Sequence, residues 1–130
     1  MSTALQIIDR ALRKVGALSS GESSDSDMSA DALADLNAML SEWLDLGIEI
    51  SNGEVVLTDV IPNDIADENA VLYNLAQRLL IEYPSNSALG IISEADRSYR
   101  NLLAKYVDVD QLQVEIDLLP NRRWYFDING

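Results

Sequence analysis

The constraint that narrows the fold most is where the apolar residues fall. In four separate stretches they recur at the three-to-four-residue spacing of an α-helix. A chain with four such stripes must bury them against one another, so the expected fold is mainly α, a four-helix protomer. The first stretch predicts a helix over 3–15, with Leu5, Ile8, Leu12 and Val15 on one face. Thr3 stands three residues ahead of Gln6, which is capping-box spacing, and Gly16 is a natural stop because glycine accepts the left-handed conformation. The run from Leu18 to Met28, rich in Ser, Asp and Gly, reads as a polar linker.

A second helix is predicted over 30–46, starting after Ser29 and ending at Gly47. Leu33, Leu36, Leu40, Trp43 and Leu44 form its stripe, and Trp43 is a core residue on this pattern rather than a ligand platform. From Ile48 to Asp64 the helical period fails. Asn52-Gly53 is a hairpin-type turn signal, and Glu54-Val55-Val56-Leu57-Thr58 is a candidate short strand. The third helix is predicted over 66–83, with Val71, Leu72, Leu75 and Leu79 on its apolar side, Ile81 or Glu82 at its last turn, and Pro84 beyond its end. A fourth is predicted over 87–106, with a seam of Leu89, Ile92, Ala95, Tyr99, Leu102, Leu103 and Tyr106.

These elements make a helical body over 1–107. The remaining residues, 108–130, carry only a partial period-two alternation and read as an extended C-terminal arm. Its last part holds Arg122, Arg123, Trp124, Tyr125 and Phe126. Chain ends are normally polar and loose, so three consecutive aromatics there point to docking, onto the body of the same chain or onto a neighbour.

What the chain lacks excludes much chemistry. Among its 130 residues there is no cysteine and no histidine. That removes the usual structural zinc sites, thiol catalysis and every His-dependent triad. Its six glycines are scattered singly, so no phosphate-cradling loop is present. Asp25-Ser26-Asp27 opens like a calcium loop, but Ala30 and Leu36 stand where that loop needs Gly and Glu, and Asp108-Val109-Asp110 fails likewise at Gln113 and Leu119. A carboxylate pair suited to glycoside hydrolysis carries no weight in a chain with 22 acids. No enzyme, metal or cofactor is expected.

Charge is distributed as unevenly as it is lopsided. The net charge is −13, and between Lys14 and Arg78 there is no Lys or Arg while thirteen acids fall there, from Glu22 to Glu68. Such a surface repels bare nucleic acid and anionic membranes. No apolar run approaches the roughly 18 residues of a membrane span, and the start lacks a basic leader. The expectation is a soluble protein made in the cytoplasm. A solvated acidic face is the plain reading of the block; a small acidic interaction module, a DNA mimic that inhibits a nucleic-acid enzyme, is the alternative functional one. Arg10, Arg13 and Lys14 lie at i, i+3 and i+4, on one helix face. They suit the negative end of their helix, and they equally suit an acidic partner or a phosphate backbone.

The order of segments resembles the head-to-tail connector proteins of short-tailed bacteriophages, the adaptor or tail accessory factors that stabilise packaged DNA. The stretches that carry the resemblance are Ala11-Leu12-Arg13-Lys14-Val15-Gly16, Leu36-Asn37-Ala38-Met39-Leu40-Ser41-Glu42-Trp43 with Gly47-Ile48, Asn74-Leu75-Ala76-Gln77-Arg78, and Trp124-Tyr125-Phe126. The resemblance implies an α-helical protomer with an extended C-terminal arm. It further implies a structural, non-catalytic role: a homo-oligomeric ring of about twelve copies below the portal protein, with a downstream tail or nozzle protein beneath. DNA would pass through the channel without specific binding. The implied partner-binding residues, for portal or neighbouring subunit, are Arg122, Arg123, Trp124, Tyr125, Phe126, Arg10, Arg13 and Lys14. The implied location is the head–tail junction of the virion, assembled in the host cytoplasm.

Overall fold

A computed structural model describes residues 2–51, 53–62 and 64–107. It contains four helices: α1 (Ala4–Lys14), α2 (Ser26–Asp45), α3 (Glu68–Leu79) and α4 (Ala88–Tyr106), with a 3-10 turn at Ile65–Asp67 leading into α3. The expected arm, 108–130, and Asn52 of the expected turn lie outside the described residues.

Helix α1 begins at the capping box. The Thr3 hydroxyl accepts the Gln6 N–H at 3.3 Å, and Gln6 Oε1 accepts the Thr3 N–H at 2.9 Å. Two more N–H groups at this end, which no helical carbonyl can reach, donate to the segment expected to be a strand: Ala4 to the Asp59 carbonyl at 2.8 Å and Leu5 to that of Leu57 at 3.0 Å. That segment is not a strand. Asp59 accepts the Val56 N–H on its side chain at 2.8 Å and returns its own N–H to the Val56 carbonyl at 3.0 Å, which closes a turn. A single antiparallel bridge, Thr3 to Val60, is the only β pairing among the described residues. The β-branched run is used to cap a helix instead of to build a sheet.

Helix α2 starts earlier than its apolar period suggests, at Ser26 in place of residue 30. Asp25 is the N-cap, accepting the Met28 N–H at 2.8 Å, and the buried Ser29 lies inside the first turns, donating its hydroxyl to the Ser26 carbonyl at 3.2 Å. At the other end Gly47 adopts a φ of 95°, a conformation that favours glycine, while its N–H closes onto the Leu44 carbonyl at 3.0 Å.

Helix α3 is the centre of the bundle and packs on all three others, most extensively on α4 and then on α1. Val71, Leu72, Leu75, Ala76 and Leu79 are all buried, leaving little of its circumference for solvent. Its α-helical part ends at Leu79, four residues short of Tyr83. The Leu79 carbonyl takes both the Glu82 N–H at 3.1 Å and the Tyr83 N–H at 2.8 Å, so the chain tightens into turns. Ile81 is 91% exposed, so no core contact holds another helical turn there, and Pro84 supplies no N–H to extend one. Asn74 ties α3 to α4: its amide donates to the Ala70 carbonyl at 2.8 Å and the Ala95 carbonyl at 3.2 Å.

The buried faces are rotated from the sequence stripes at several positions. On α1 the core residues are Ala4, Ile7, Ile8, Ala11 and Leu12, while Leu5 is exposed. On α4 they are Ile91, Ala95, Ser98 and Leu102; Leu89, at 85% exposure, and Ile92 face outward. Leu44 on α2 is exposed too, whereas Trp43 is 5% exposed and stacks at a tilt on Tyr99 with ring centroids 6.0 Å apart. A helix with apolar residues at neighbouring angles has more than one face it can bury, and the small residues Ala11 and Ala95 decide it by allowing close helix approach.

Candidate functional site

The acidic block forms surface. Of its thirteen acids only Asp67 is buried, with Asp35 and Glu68 half-buried and the rest exposed. Glu42 pairs with Arg78, Glu68 with Arg10 at 3.6 Å, and Asp64 and Asp67 with Lys105 at 2.6 and 2.9 Å. The other nine have no ion-pair partner among the described residues. Asp31 and Asp35 stand one turn apart on α2, and Asp35 has its carboxyl pushed up by burial, against the opposing pull of Arg78. Asp45 occupies the last position of α2, where a helix end is already negative and its last turn contains no basic residue. Folding alone gives no reason for an acid there.

The three basic residues of α1 do share a face, but each is engaged within the protomer. Arg10 faces Glu68 across to α3. Arg13 donates to the Glu22 carbonyl at 2.8 Å and so ties down the linker that precedes α2. Lys14 sits over the Tyr73 ring, its ammonium 5.4 Å from the centroid. Arg10 and Lys14 remain exposed at the surface. Arg122, Arg123, Trp124, Tyr125 and Phe126 lie outside the described residues.

A feature that the sequence stripes did not reveal is an apolar groove of about 700 Å³ on the outer side of α2, α3 and α4. Met39, Trp43, Leu46, Leu80, Ile92 and Tyr99 line it, with Ile81 at its edge and the Glu42–Arg78 ion pair at its rim. Its advance signal in the sequence is the apolar pair Ile81 and Ile92, which line it and lie exposed. Such a surface suits a macromolecular partner. No catalytic constellation accompanies it, and among the described residues no group of three His, Cys, Asp or Glu converges to hold a metal ion. Nor is any described helix long and apolar enough to cross a membrane.

Where α4 gives way to the arm, the last helical turn is anchored. Lys105 bridges Asp64 and Asp67, and the Tyr106 hydroxyl donates to Asp67. The hydrogen bond to Asp64, followed by that to Asp67, raises the Lys105 ammonium well above its ordinary range. The bond to Asp67, and then burial, raises Tyr106, while the bond from Lys105 holds Asp64 low. The chain therefore leaves the body from a fixed point.

The described residues thus present several surfaces for contact: an excess of exposed acids, a basic face, an apolar groove and an anchored last turn of α4. A search of curated proteins gives no match to this chain. The family model described as P22 tail accessory factor matches residues 1–116, which takes in all four helices. The chain belongs to the P22 tail accessory factor family.

Proposed function

We propose that this protein is a structural head-to-tail connector of a short-tailed phage. Copies of it form a ring of about twelve below the portal protein, join head to tail, and receive a downstream tail or nozzle protein beneath. The observation that carries this reading is family membership across nearly the whole chain, and a structural role in the virion is its coarsest content. The surfaces support the finer content. Nine acids without an ion-pair partner among the described residues suit a lining that repels DNA, so that the duplex is retained above and slides through on ejection without adhering. Arg10 and Lys14, exposed on α1, supply the opposite charge for a neighbouring copy, with Arg13 beside them. Arg122, Arg123, Trp124, Tyr125 and Phe126 supply an anchor for the portal, in which aromatic burial offsets an ordering cost of roughly 2–5 kcal/mol.

The test is the absolute mass of the protein in solution, alone and mixed with its portal. About twelve copies joining one portal ring is the expected result, and a ring formed alone would move the assembly determinants into this chain. A monomer or dimer that ignores the portal would overturn the connector reading. The same unpaired acids would then favour a DNA mimic, which binds a basic nucleic-acid enzyme with strong salt dependence.

A further inference from the structure

We propose that in the free protomer the groove of α2, α3 and α4 is occupied by the protein's own C-terminal segment, with Trp124, Tyr125 and Phe126 against its apolar floor and Arg122 and Arg123 toward Asp45 beside it. This is a property of the free chain, and does not depend on whether the protein joins a ring or a portal.

Three observations carry it. The first is fit of chemistry. The groove is floored by Met39, Trp43, Leu46, Leu80 and Tyr99 and lies open to solvent, while the three consecutive aromatics have no helical seam of their own to enter. Met39 and Trp43 are buried within that floor, and it is Leu46, Ile81 and Ile92 that otherwise face water there and would pack against aromatic rings.

The second is charge. Glu42 lines the groove but is paired with Arg78, whereas Asp45, just before Leu46 at the negative end of α2, has no ion-pair partner among the described residues. Two arginines immediately before the aromatics supply a partner for that carboxylate. Earlier in the segment the sign reverses, with Asp108, Asp110, Glu115 and Asp117, while on α4 the exposed Arg97 and Arg100 are already paired with Glu94 and Asp96.

The third is reach. The chain leaves the body at Val107, just past the end of α4, and the groove lies back along that helix at Tyr99 and Ile92. From Tyr106 to Ile92 is about 21 Å along the helix axis. The residues from Val107 to Trp124 span up to about 55 Å when extended. The segment arrives with slack, and its effective concentration at the groove is of order millimolar, far above that of any second copy in dilute solution.

The consequence for assembly is a hand-over. The segment that anchors on a portal would first shield the protomer's own apolar groove, and leaving it would expose that groove for the next contact. Because the chain contains no cysteine, the docking can be mapped with engineered pairs in the full-length protein. Ile92→Cys with Tyr125→Cys places one thiol in the groove and one on the segment; Ser20→Cys with Tyr125→Cys is the control, since Ser20 is an exposed residue on the linker near α1. Under mild oxidation the groove pair should close within one chain, at a yield roughly tenfold that of the control and independent of protein concentration. Adding Arg122→Glu and Arg123→Glu should lower that yield several-fold. Equal yields from the two pairs, or no disulfide from the groove pair, would overturn the proposal. A concentration-dependent disulfide between chains would overturn it as well, and would assign the groove to a second copy. The portal-mixing experiment reads a different event, so failure of either leaves the other interpretable.

Discussion

Asn37 holds Val55 by both of its backbone polar groups. The Asn37 amide oxygen accepts the Val55 N–H at 2.7 Å, and its amide nitrogen donates to the Val55 carbonyl at 3.0 Å. Val55 is buried, so neither group has ready access to water. A single side chain on α2 therefore fixes the start of the segment whose far end caps α1.

Replacing Asn37 by Ala leaves both Val55 groups without a partner. With about 1–3 kcal/mol for each of the two groups left unsatisfied, the expected loss is roughly 2–6 kcal/mol. Urea denaturation measures it. Asn37→Asp should fall between wild type and Ala below the carboxyl's ordinary pKa and be worse at neutral pH, where an ionised carboxylate faces the Val55 carbonyl. A loss in Asn37→Ala within 0.5 kcal/mol of zero, the range of plain surface changes, would mean that the clamp is not formed.

Much of the fold is legible in the chain, and the exceptions share a physical cause. Thr3 with Gln6, Gly16 and Gly47 act as their spacing suggests, because caps and stops are settled within one turn of backbone. Trp43 is core, as its stripe implies. What local pattern does not settle is which of two adjacent faces is buried. On α4, Leu89 with Ile92 and Ile91 with Ala95 are equally good seams, and only α3 chooses between them through Asn74 and the close approach at Ala95. Similarly, both Asp25 and Ser29 can cap a helix; burial of Ser29 against the core decides for Asp25. The groove was illegible for the same reason, since Ile92, on the face that α4 leaves outside, and Ile81, past the end of α3, complete a lining whose Met39 and Trp43 belong to the core.

The cap assignment is directly testable. Asp25→Ala should cost about 1 kcal/mol, within the 0.5–2 kcal/mol typical of N-caps, and Asp25→Asn should cost far less because it keeps the acceptor for the Met28 N–H. Thermal unfolding followed by circular dichroism separates the two. If both variants unfold with wild type, α2 begins elsewhere.

At the exit of the arm, pH acts with a definite sign. Lys105 and Tyr106 are raised above their ordinary values of 10.5 and 10.0. Their contribution is complete below those values and is lost as pH climbs past them. Asp64 is lowered from 3.8, so its contribution is present above that value and is lost as pH falls below it. Stability should therefore be flat between about pH 5 and 9 and decline on both sides. Lys105→Met should flatten both limbs, whereas Tyr106→Phe should soften only the alkaline one. A Tyr106→Phe variant with an unchanged alkaline limb would remove Tyr106 from the anchor.

Two acids of α2 sit where the fold alone would not place them, so their removal should stabilise. In an Arg122→Ala, Arg123→Ala background, which removes the proposed partners of this carboxylate, Asp45→Lys puts a cation at the negative end of the helix and should add about 0.3–1 kcal/mol at low salt, shrinking as salt screens it. Asp35→Asn removes a carboxyl held above its ordinary pKa chiefly by burial, and should add a few tenths of a kcal/mol after solvent screening. Wild type should also gain stability on moving from low to moderate salt, because a net charge of −13 repels itself. Destabilisation by Asp45→Lys would indicate an unrecognised partner for that carboxylate.

The basic face of α1 separates folding from assembly. Arg13 is half-buried, bonds the Glu22 carbonyl and helps set the linker, so Arg13→Ala should cost roughly 1–2 kcal/mol of stability. Lys14 makes a contact with Tyr73 worth about 0.5–1 kcal/mol at an exposed site, so Lys14→Glu should unfold within about 1 kcal/mol of wild type. Arg10 faces Glu68 at 3.6 Å, longer than a hydrogen bond, and Arg10→Glu should be similarly mild in dilute solution apart from the repulsion it brings to Glu68. Under the connector reading the order reverses when assembly is measured. Arg10→Glu and Lys14→Glu, the exposed pair, should cut ring formation on the portal more than Arg13→Ala does, since reversed charge meets the acidic surface of the adjacent copy. Sedimentation of each variant with the portal, set beside its urea midpoint, gives the two rankings. Identical rankings would reduce this face to a helix-end device and leave the contact between copies to be sought elsewhere.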